Sequence, residues 1–183
     1  MSRRALFLDR DGVLIDYVPY LSHPNQVEIP QGAGESLRQW QDQGYLLIVI
    51  TNQSGISRGY FSMDIVQEIH RKIEREYAKF GVIFTDFFIC PHHPSEACLC
   101  RKPSPYMILQ ASQKYNIDRR VSFFIGDANS DLECAHRAGC TPILLLTGRG
   151  KETFKELPNH QKSISIYSNL GESIQIIDNL RIT

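Results

Sequence analysis

Short apolar segments alternate with longer segments of helical periodicity along nearly the whole chain. The clearest apolar segment, Leu46–Ile50, reads Leu-Leu-Ile-Val-Ile and offers no polar face. The clearest helical segment, Met63–Phe80, repeats apolar residues every three or four positions from Ile65 to Tyr77. Strands that are apolar on both faces are typical of a parallel sheet covered by helices. The alternation predicts an α/β fold, with a doubly wound, three-layer, mostly parallel sheet and right-handed crossovers.

Six strands and five helices are predicted from this pattern. The strands are Ala5–Leu8, Leu46–Ile50, Phe87–Cys90, Ser122–Ile125, Ile143–Leu146 and Ser163–Ile166. The helices are Gly32–Gln43, Met63–Phe80 with Ser62 as its cap, Pro105–Tyr115, Asp131–Ala138 and Leu170–Asn179. Gly148-Arg149-Gly150 is predicted to form a turn after the fifth strand, with a phosphate-binding loop as the alternative. Since no repeat or linker interrupts the pattern, we expect residues 1–183 to form one domain.

Charge and hydropathy exclude several classes of protein. Twenty Lys and Arg residues balance twenty Asp and Glu residues, so no overall field attracts the chain to nucleic acid or to a membrane. No apolar run approaches the roughly 20 residues that a membrane span needs. The amino-terminal segment reaches Asp9 after only four apolar residues, too few for a secretory signal. We therefore expect a cytoplasmic monomer that binds neither nucleic acid nor membrane.

Polar clusters follow three of the predicted strands. Asp9-Arg10-Asp11-Gly12 comes after the first strand, Thr51-Asn52 after the second, and Gly126-Asp127 after the fourth. In open parallel sheets, ligands bind just beyond the carboxyl ends of the strands. We therefore expect these clusters to meet in one site.

Asp9 and Asp11 have the spacing of a metal-assisted phosphoryl-transfer site. Two carboxylates at a strand end can share one Mg²⁺ ion. The first can attack phosphorus as a nucleophile, and the second can protonate the leaving group and later activate water. An isolated Asp-x-Asp is more commonly a polar turn that ends a strand, so this pair alone does not decide the function.

Three cysteines and two histidines lie within eleven residues of one another. They are Cys90, His92, His93, Cys98 and Cys100. Three thiolates and one imidazole match a tetrahedral structural Zn²⁺ site in which the protein fills every position. The alternative is a group of small buried side chains, since free cysteine packs well. Ligand chemistry alone leaves the choice between His92 and His93 open.

The string from Phe7 to Leu14, Phe-Leu-Asp-Arg-Asp-Gly-Val-Leu, resembles the first signature of the haloacid dehalogenase-like phosphatases. Thr51, Lys102 and Gly126–Asp131 match the three later motifs, in the family's order. The resemblance implies that Asp9 forms the phospho-enzyme, that Asp11 transfers protons, that Thr51 binds phosphoryl oxygens and that Lys102 neutralises their charge. It places Mg²⁺ at Asp9, Asp11 and Asp127, and leaves open whether Asp131 touches the metal.

The Cys-x-His…Cys-x-Cys pattern resembles a subgroup of this family that has no large cap domain. The resemblance favours His92 as the fourth Zn²⁺ ligand, and it implies that the metal shapes the loop that presents Arg101 and Lys102. The subgroup acts on small phosphorylated metabolites, among them heptose 1,7-bisphosphate, which loses its 7-phosphate, and histidinol phosphate. The residues expected to contact substrate are Tyr17, Val18, Pro19, Tyr20, Thr51, Asn52, Gln53, Ser54, Arg58, Arg101 and Lys102.

Arg58-Gly59 resembles the heptose-bisphosphate branch, so we expect a role in carbohydrate metabolism. Two features disagree with that branch. The gap between His92 and Cys98 is short, as in the histidinol-phosphate branch, and Ala128 replaces a basic residue common in the family, which leaves one cation fewer for a bisphosphate. Histidinol phosphate or another small sugar phosphate is therefore the alternative substrate. A non-catalytic, zinc-ribbon-like binding module is a further alternative, which the neutral charge and the complete set of acidic motifs disfavour.

Overall fold

Six parallel strands form the centre of the structure, a computed structural model that describes residues 2–158 and 164–176. The strand order across the sheet is β3-β2-β1-β4-β5-β6, and each neighbouring pair is parallel. The strands are β1 (Arg4–Leu8), β2 (Tyr45–Asn52), β3 (Asp86–Cys90), β4 (Phe123–Gly126), β5 (Thr141–Leu145) and β6 (Ser165–Tyr167).

Helices cover both faces of the sheet. They are α1 (Ala33–Asp42), α2 (Met63–Ala78), α3 (Tyr106–Tyr115), α4 (Asn129–Ala138) and α5 (Gly150–Glu156), with 3₁₀ turns at Pro24–Gln26, Arg119–Val121 and Leu170–Ile174. Helices α1 and α2 pack on one face of the sheet, and α3 and α4 pack on the other. In the residues that the structure describes, no helix has both the length and the apolar character of a membrane span.

Each face of the sheet has its own hydrophobic core, because side chains alternate between the two faces along a strand. In β1, Leu6 and Leu8 face the core formed with α1 and α2, while Ala5 and Phe7 face the core formed with α3 and α4. All four of these side chains are fully buried. A strand that is apolar on both faces fits only between two layers, because a water-exposed face would be polar. The predicted three-layer, doubly wound α/β fold is confirmed.

The predicted elements differ from the observed ones mainly near the carboxyl terminus. A helix begins at Gly150, where the sequence predicted only a turn. The predicted helix Leu170–Asn179 starts as a 3₁₀ turn, and residues 177–179 lie outside the described residues. The last strand is Ser165–Tyr167 rather than Ser163–Ile166, and Ser163 also lies outside them. These short segments carry little periodicity, so local pattern determines them poorly.

The chain changes direction across the sheet between β1 and β4. Strands β2 and β3 extend the sheet on one side of β1, and β4 to β6 extend it on the other. Such a switch point leaves a crevice at the carboxyl ends of the two central strands. The segment between β1 and α1 runs along this edge and contains only a single 3₁₀ turn, so a loop borders the crevice where a cap domain would otherwise stand.

Helix α2 is fastened to the segment after β1 by one buried hydrogen bond. The Tyr77 hydroxyl donates to the backbone oxygen of Leu14 over 2.7 Å, and the Tyr77 side chain is fully buried. We expect Tyr77→Phe to lower the free energy of unfolding by about 1–3 kcal/mol, because a buried carbonyl loses its partner. Urea unfolding measures the change. Tyr106→Phe, at a partly exposed tyrosine, is the control and should change stability by less than about 0.5 kcal/mol; equal losses would contradict the assignment.

Candidate active site

Asp9 and Lys102 meet at the carboxyl ends of the central strands. Asp9 follows β1 directly, whereas Lys102 arrives from the long loop between β3 and α3. The Lys102 ammonium lies 2.8 Å from the Asp9 carboxylate and 2.9 Å from the Asp131 carboxylate, and it donates a 2.9 Å hydrogen bond to the backbone oxygen of Ile50. Its three N–H groups therefore have three acceptors, and its position is determined.

Three buried carboxylates surround a space that suits a metal ion. Oxygens of Asp9, Asp127 and Asp131 lie within 4.8 Å of one another. Burial raises the pKa of Asp9 to about 8, where Asp127 and Asp131 add to the rise and Lys102 opposes it. Burial likewise raises the pKa of Asp127 to about 6. One ammonium group does not balance three carboxylates, so a further cation would favour their charged forms.

The Asp127 carboxylate has one oxygen satisfied and one without a partner. Its Oδ2 accepts the backbone N–H of Arg149 over 2.7 Å, while Oδ1 has no hydrogen-bond partner among the described residues. Such a buried oxygen is costly without a partner, and a carboxylate oxygen is a ligand that Mg²⁺ prefers. The residues present therefore fit Mg²⁺, and Asp127 Oδ1 is the oxygen that would be free to bind it.

Two glycines allow the loops to close around the Asp127 carboxylate. A Cβ atom on Gly12 would lie 2.5 Å from Asp127 Oδ2, and one on Gly148 would lie 2.1 Å from the same atom. Both glycines also have positive φ, 81° and 50°. No side chain fits at either position, because backbone atoms and a carboxylate already occupy the space.

Asp11 is held apart from this acidic group. Arg10 donates to both of its carboxylate oxygens over 3.2 and 3.0 Å, and the Gln53 amide donates to Oδ2 over 2.9 Å. The sequence predicted Asp9, Asp11 and Asp127 as the metal ligands, whereas the carboxylates that the structure brings together are those of Asp9, Asp127 and Asp131. Sequence spacing alone could not show which way the Asp11 side chain turns.

The two carboxylate oxygens of Asp131 contact backbone N–H groups and the Lys102 ammonium. Oδ2 accepts the backbone N–H groups of Asp127 and Ala128 over 3.2 and 3.1 Å, at the start of α4. Oδ1 faces the Lys102 ammonium. An acidic residue in the first turn of a helix is favoured there because it satisfies free backbone N–H groups. The same side chain thereby links α4 to Lys102.

A pocket of about 310 Å³ opens above Asp9 and Lys102. The predicted substrate residues that line it are Tyr17, Val18, Pro19, Tyr20, Asn52, Gln53, Ser54, Arg58, Arg101 and Lys102. Other lining residues include Asp9, Arg10, Asp11, Leu21, Ser130 and Arg149. Thr51 is fully buried and is not among the lining residues; its hydroxyl oxygen accepts a 2.8 Å hydrogen bond from the Gln53 amide.

The side-chain amides of Asn52 and Gln53, which were predicted to contact substrate, form hydrogen bonds to other residues of the site. The Asn52 amide oxygen accepts the backbone N–H of Lys102 over 3.1 Å, and its nitrogen donates to the Lys102 carbonyl over 3.2 Å. The Gln53 amide nitrogen donates to Asp11 and Thr51. Both side chains therefore fix the positions of the residues predicted to be catalytic, in addition to lining the pocket.

Arg149 lines the pocket, although the sequence analysis favoured a simple turn there over a phosphate-binding loop. It lies in the predicted turn after β5, and its guanidinium sits 6.0 Å from the centre of the Tyr17 ring. On another side of the pocket, Arg58 lies 5.7 Å from the centre of the Tyr20 ring. Arg149 could have been identified from the sequence, because it follows the carboxyl end of a predicted strand, where ligands bind in such sheets.

The predicted zinc ligands form one cluster. Cys90 Sγ lies 3.7 Å from both His92 Nδ1 and Cys98 Sγ, and His92 Nδ1 lies 3.2 Å from Cys100 Sγ. A tetrahedron with Zn–S bonds of about 2.3 Å has edges of about 3.8 Å, so the cluster has nearly the right size. The His93 ring instead contacts Ser95 Oγ over 2.7 Å. The structure thus brings His92, rather than His93, to the three thiols.

The sequence is similar to those of known phosphatases of the family that its motifs resemble. The sequence profile of the HAD-hydrolase-like family matches residues 99–173. The D-glycero-beta-D-manno-heptose-1,7-bisphosphate 7-phosphatase of Haemophilus ducreyi is 40% identical over 158 residues, which are 81% of this chain and 86% of that protein. The corresponding alpha-anomer enzyme of Photorhabdus laumondii is 38% identical over 172 residues, covering 90% of this chain and 93% of that protein.

A solved structure has the same fold as this chain. The crystal structure of D,D-heptose 1,7-bisphosphate phosphatase from B. bronchiseptica, complexed with magnesium and phosphate, superposes with a TM-score of 0.89 at 29% identity. The match covers 97% of this chain and 99% of that one. On its sequence relatives, its fold and the profile match, this chain belongs to the haloacid dehalogenase-like phosphatase family.

Proposed function

We propose that this protein is a magnesium-dependent phosphatase that removes the 7-phosphate of D-glycero-D-manno-heptose 1,7-bisphosphate through an aspartyl-phosphate on Asp9. The observation that carries the proposal is the pairing of Asp9 with Lys102 at the base of a pocket lined by Arg58, Arg101 and Arg149. One end of the pocket suits the phosphate that reacts. The arginines suit a second anionic group on the same small molecule.

Asp9 and Asp127 would hold Mg²⁺, which supplies positive charge to the phosphoryl oxygens when it is bound. Asp9 attacks phosphorus, the P–O bond to the sugar breaks, and Asp11 gives its proton to the departing alkoxide. Asp11 then takes a proton from a water molecule that attacks the aspartyl-phosphate, which releases inorganic phosphate and restores Asp9. Lys102 keeps Asp9 in place and offsets its charge as the anionic phosphate approaches.

Asp131 acts in this scheme by positioning Lys102, because its Oδ2 is fixed by two backbone N–H groups and its Oδ1 lies 2.9 Å from the Lys102 ammonium. The Asp11 carboxylate, which the sequence also assigned to Mg²⁺, is engaged by Arg10 and Gln53. We therefore keep the proton-transfer role for Asp11. Thr51 remains a predicted phosphate contact, since its hydroxyl accepts from Gln53 and keeps its own O–H free to donate.

We further propose that Zn²⁺ occupies the cluster of Cys90, His92, Cys98 and Cys100 as a structural ion. Four protein ligands leave no position open for water or substrate, so hydrolysis does not take place there. The loop that carries the cluster continues into Arg101, which donates a 3.3 Å hydrogen bond to the backbone oxygen of His92. The ion thereby keeps Arg101 and Lys102 at the pocket.

The cell location and the organisation of the chain complete the proposal. All five cysteines are free thiols, which suits the reducing cytoplasm and a thiolate metal site. We propose a cytoplasmic monomer made of one domain, residues 1–183, that acts on a small phosphorylated sugar and binds neither nucleic acid nor membrane. Balanced charge supports the exclusion of nucleic acid.

Asp9→Asn tests the nucleophile. We expect phosphate release from 4-nitrophenyl phosphate with Mg²⁺ to fall by more than about a hundredfold, because the covalent route is lost. Urea unfolding should show that the variant is folded. Asp118→Asn, which alters a carboxylate paired with Arg120 outside the pocket, is the matched control and should keep wild-type activity. An Asp9→Asn variant with more than about one hundredth of wild-type activity would exclude the covalent role.

Elemental analysis tests the zinc site. Wild-type protein prepared with zinc available and then dialysed should retain one Zn²⁺ ion per chain, since four protein ligands bind it tightly. Cys100→Ser should lose the ion and become less stable and less active, because Arg101 and Lys102 follow directly. Cys140→Ala, at a buried cysteine outside the cluster, should retain it. Zinc-free wild-type protein would refute the site.

Arg101→Ala tests recognition of the substrate. We expect kcat/KM for heptose 1,7-bisphosphate to fall by the equivalent of about 1.5–3 kcal/mol, the scale of a hydrogen bond to a charged group, while small aryl phosphates are spared. Arg120→Ala, at an arginine paired with Asp118 outside the pocket, should change neither. Histidinol phosphate is the competing substrate, favoured by the short loop between His92 and Cys98. A wild-type preference for it of about tenfold or more would overturn the heptose assignment.

A further inference from the structure

Arg10 is a buried cation that the proposed mechanism does not use. Its side chain is only 1% exposed, although it borders the pocket. Nε and one terminal nitrogen donate to the two carboxylate oxygens of Asp11 over 3.2 and 3.0 Å. Such a paired arrangement fixes the plane of a carboxylate as well as its position. Arg10 therefore determines where Asp11 presents its oxygens.

The other terminal nitrogen of Arg10 faces His70, on helix α2. Its distance to His70 Nε2 is 3.5 Å, and His70 is itself buried. Burial, and then the charge of Arg10, lower the pKa of His70 to about 3, so the ring is neutral at physiological pH. A neutral ring with its proton on Nδ1 can accept a hydrogen bond from Arg10 at Nε2.

The His70 ring is also held from its other side. It stacks on Phe87 of β3, with the ring centres 4.5 Å apart and the planes 26° from parallel. A chain of contacts therefore runs from the sheet through Phe87, His70 and Arg10 to Asp11. The Asp11 side chain at its end remains 22% exposed, which leaves it accessible from the pocket.

We infer that Arg10 and His70 are positioning residues, which hold the Asp11 carboxylate in the orientation from which it protonates the departing alkoxide. The inference rests on the proposed function, and it adds two residues to which the sequence analysis gave no role. His70 stops the Arg10 side chain from swinging away, and Arg10 fixes both oxygens of Asp11.

The dependence of the rate on the leaving group separates this role from general stability. A 4-nitrophenolate departs with little help from a proton, whereas a phenolate without the nitro group needs more help. We therefore compare kcat/KM for 4-nitrophenyl phosphate and for phenyl phosphate, with saturating Mg²⁺. This constant reports only the steps up to loss of the leaving group, so the later attack of water does not enter. A smaller folded fraction would lower both values by the same factor.

In His70→Leu and Arg10→Lys we expect kcat/KM for phenyl phosphate to fall by about tenfold or more, and that for 4-nitrophenyl phosphate by less than about threefold. His70→Gln offers Arg10 an amide oxygen in place of the ring nitrogen, and it should restore most of the wild-type ratio. Tyr77→Phe is the control on the same helix, and it should keep the wild-type ratio despite its lower stability.

Wild-type ratios in His70→Leu and Arg10→Lys would overturn the inference, however far both rates fell, and would leave the proposed function in place. A His70→Gln variant with the same altered ratio as His70→Leu would overturn the part assigned to His70. Wild-type protein that hydrolyses neither ester with Mg²⁺ would overturn the proposed function, and this inference with it.

Discussion

The ammonium group of Lys102 is buried and lies next to oxygen atoms from three segments of the chain. Asp9 follows β1, Ile50 lies in β2, and Asp131 lies in the helix after β4. A buried ammonium is stable only when every N–H group has an acceptor, and a buried carboxylate needs a compensating charge. The three segments and Lys102 therefore depend on one another, and the geometry of the site follows from this shared charge.

The loop that brings Lys102 to this point has no regular secondary structure of its own. Two features of the fold compensate for that. Asn52 binds both the backbone N–H and the carbonyl of Lys102, which fixes the loop to the end of β2. Upstream, the cluster of three thiols and His92 closes the loop on itself, and Arg101 bonds back to it. A loop held at both ends presents its functional groups in fixed positions.

The crevice contains a cluster of carboxylates and, farther out, several arginines. Carboxylates of Asp9, Asp127 and Asp131 lie within 4.8 Å of one another, and Lys102 contacts two of them. Arginines border the wider pocket, where Arg58 and Arg149 lie over tyrosine rings of the segment after β1. The arrangement suits a ligand with two anionic ends, because a metal ion and Lys102 can receive one of them and the arginines the other.

The sequence alone determined the fold class, the edge of the sheet that carries the site and the membership of the thiol cluster. These are local properties: hydrophobic period shows which segments are buried strands, and the residue after a strand end lies at a known edge. Helix α5 was missed because seven residues carry too little periodicity to identify a helix. The sequence left the role of Asp131 at the metal open, and the folding of α4 and of the loop after β5 brings the Asp131 carboxylate to Lys102 and Arg149 to the pocket.

Only the tertiary structure decided which side chains touch. The sheet order places β1 beside β4, and so brings Asp9 to Asp127, more than a hundred residues away in the chain. Packing of α2 on the sheet brings His70 to Arg10, and the turn after β2 directs Gln53 toward Asp11 rather than into solvent. Contacts between residues so distant in sequence depend on how whole layers pack, and no local period or motif encodes that packing.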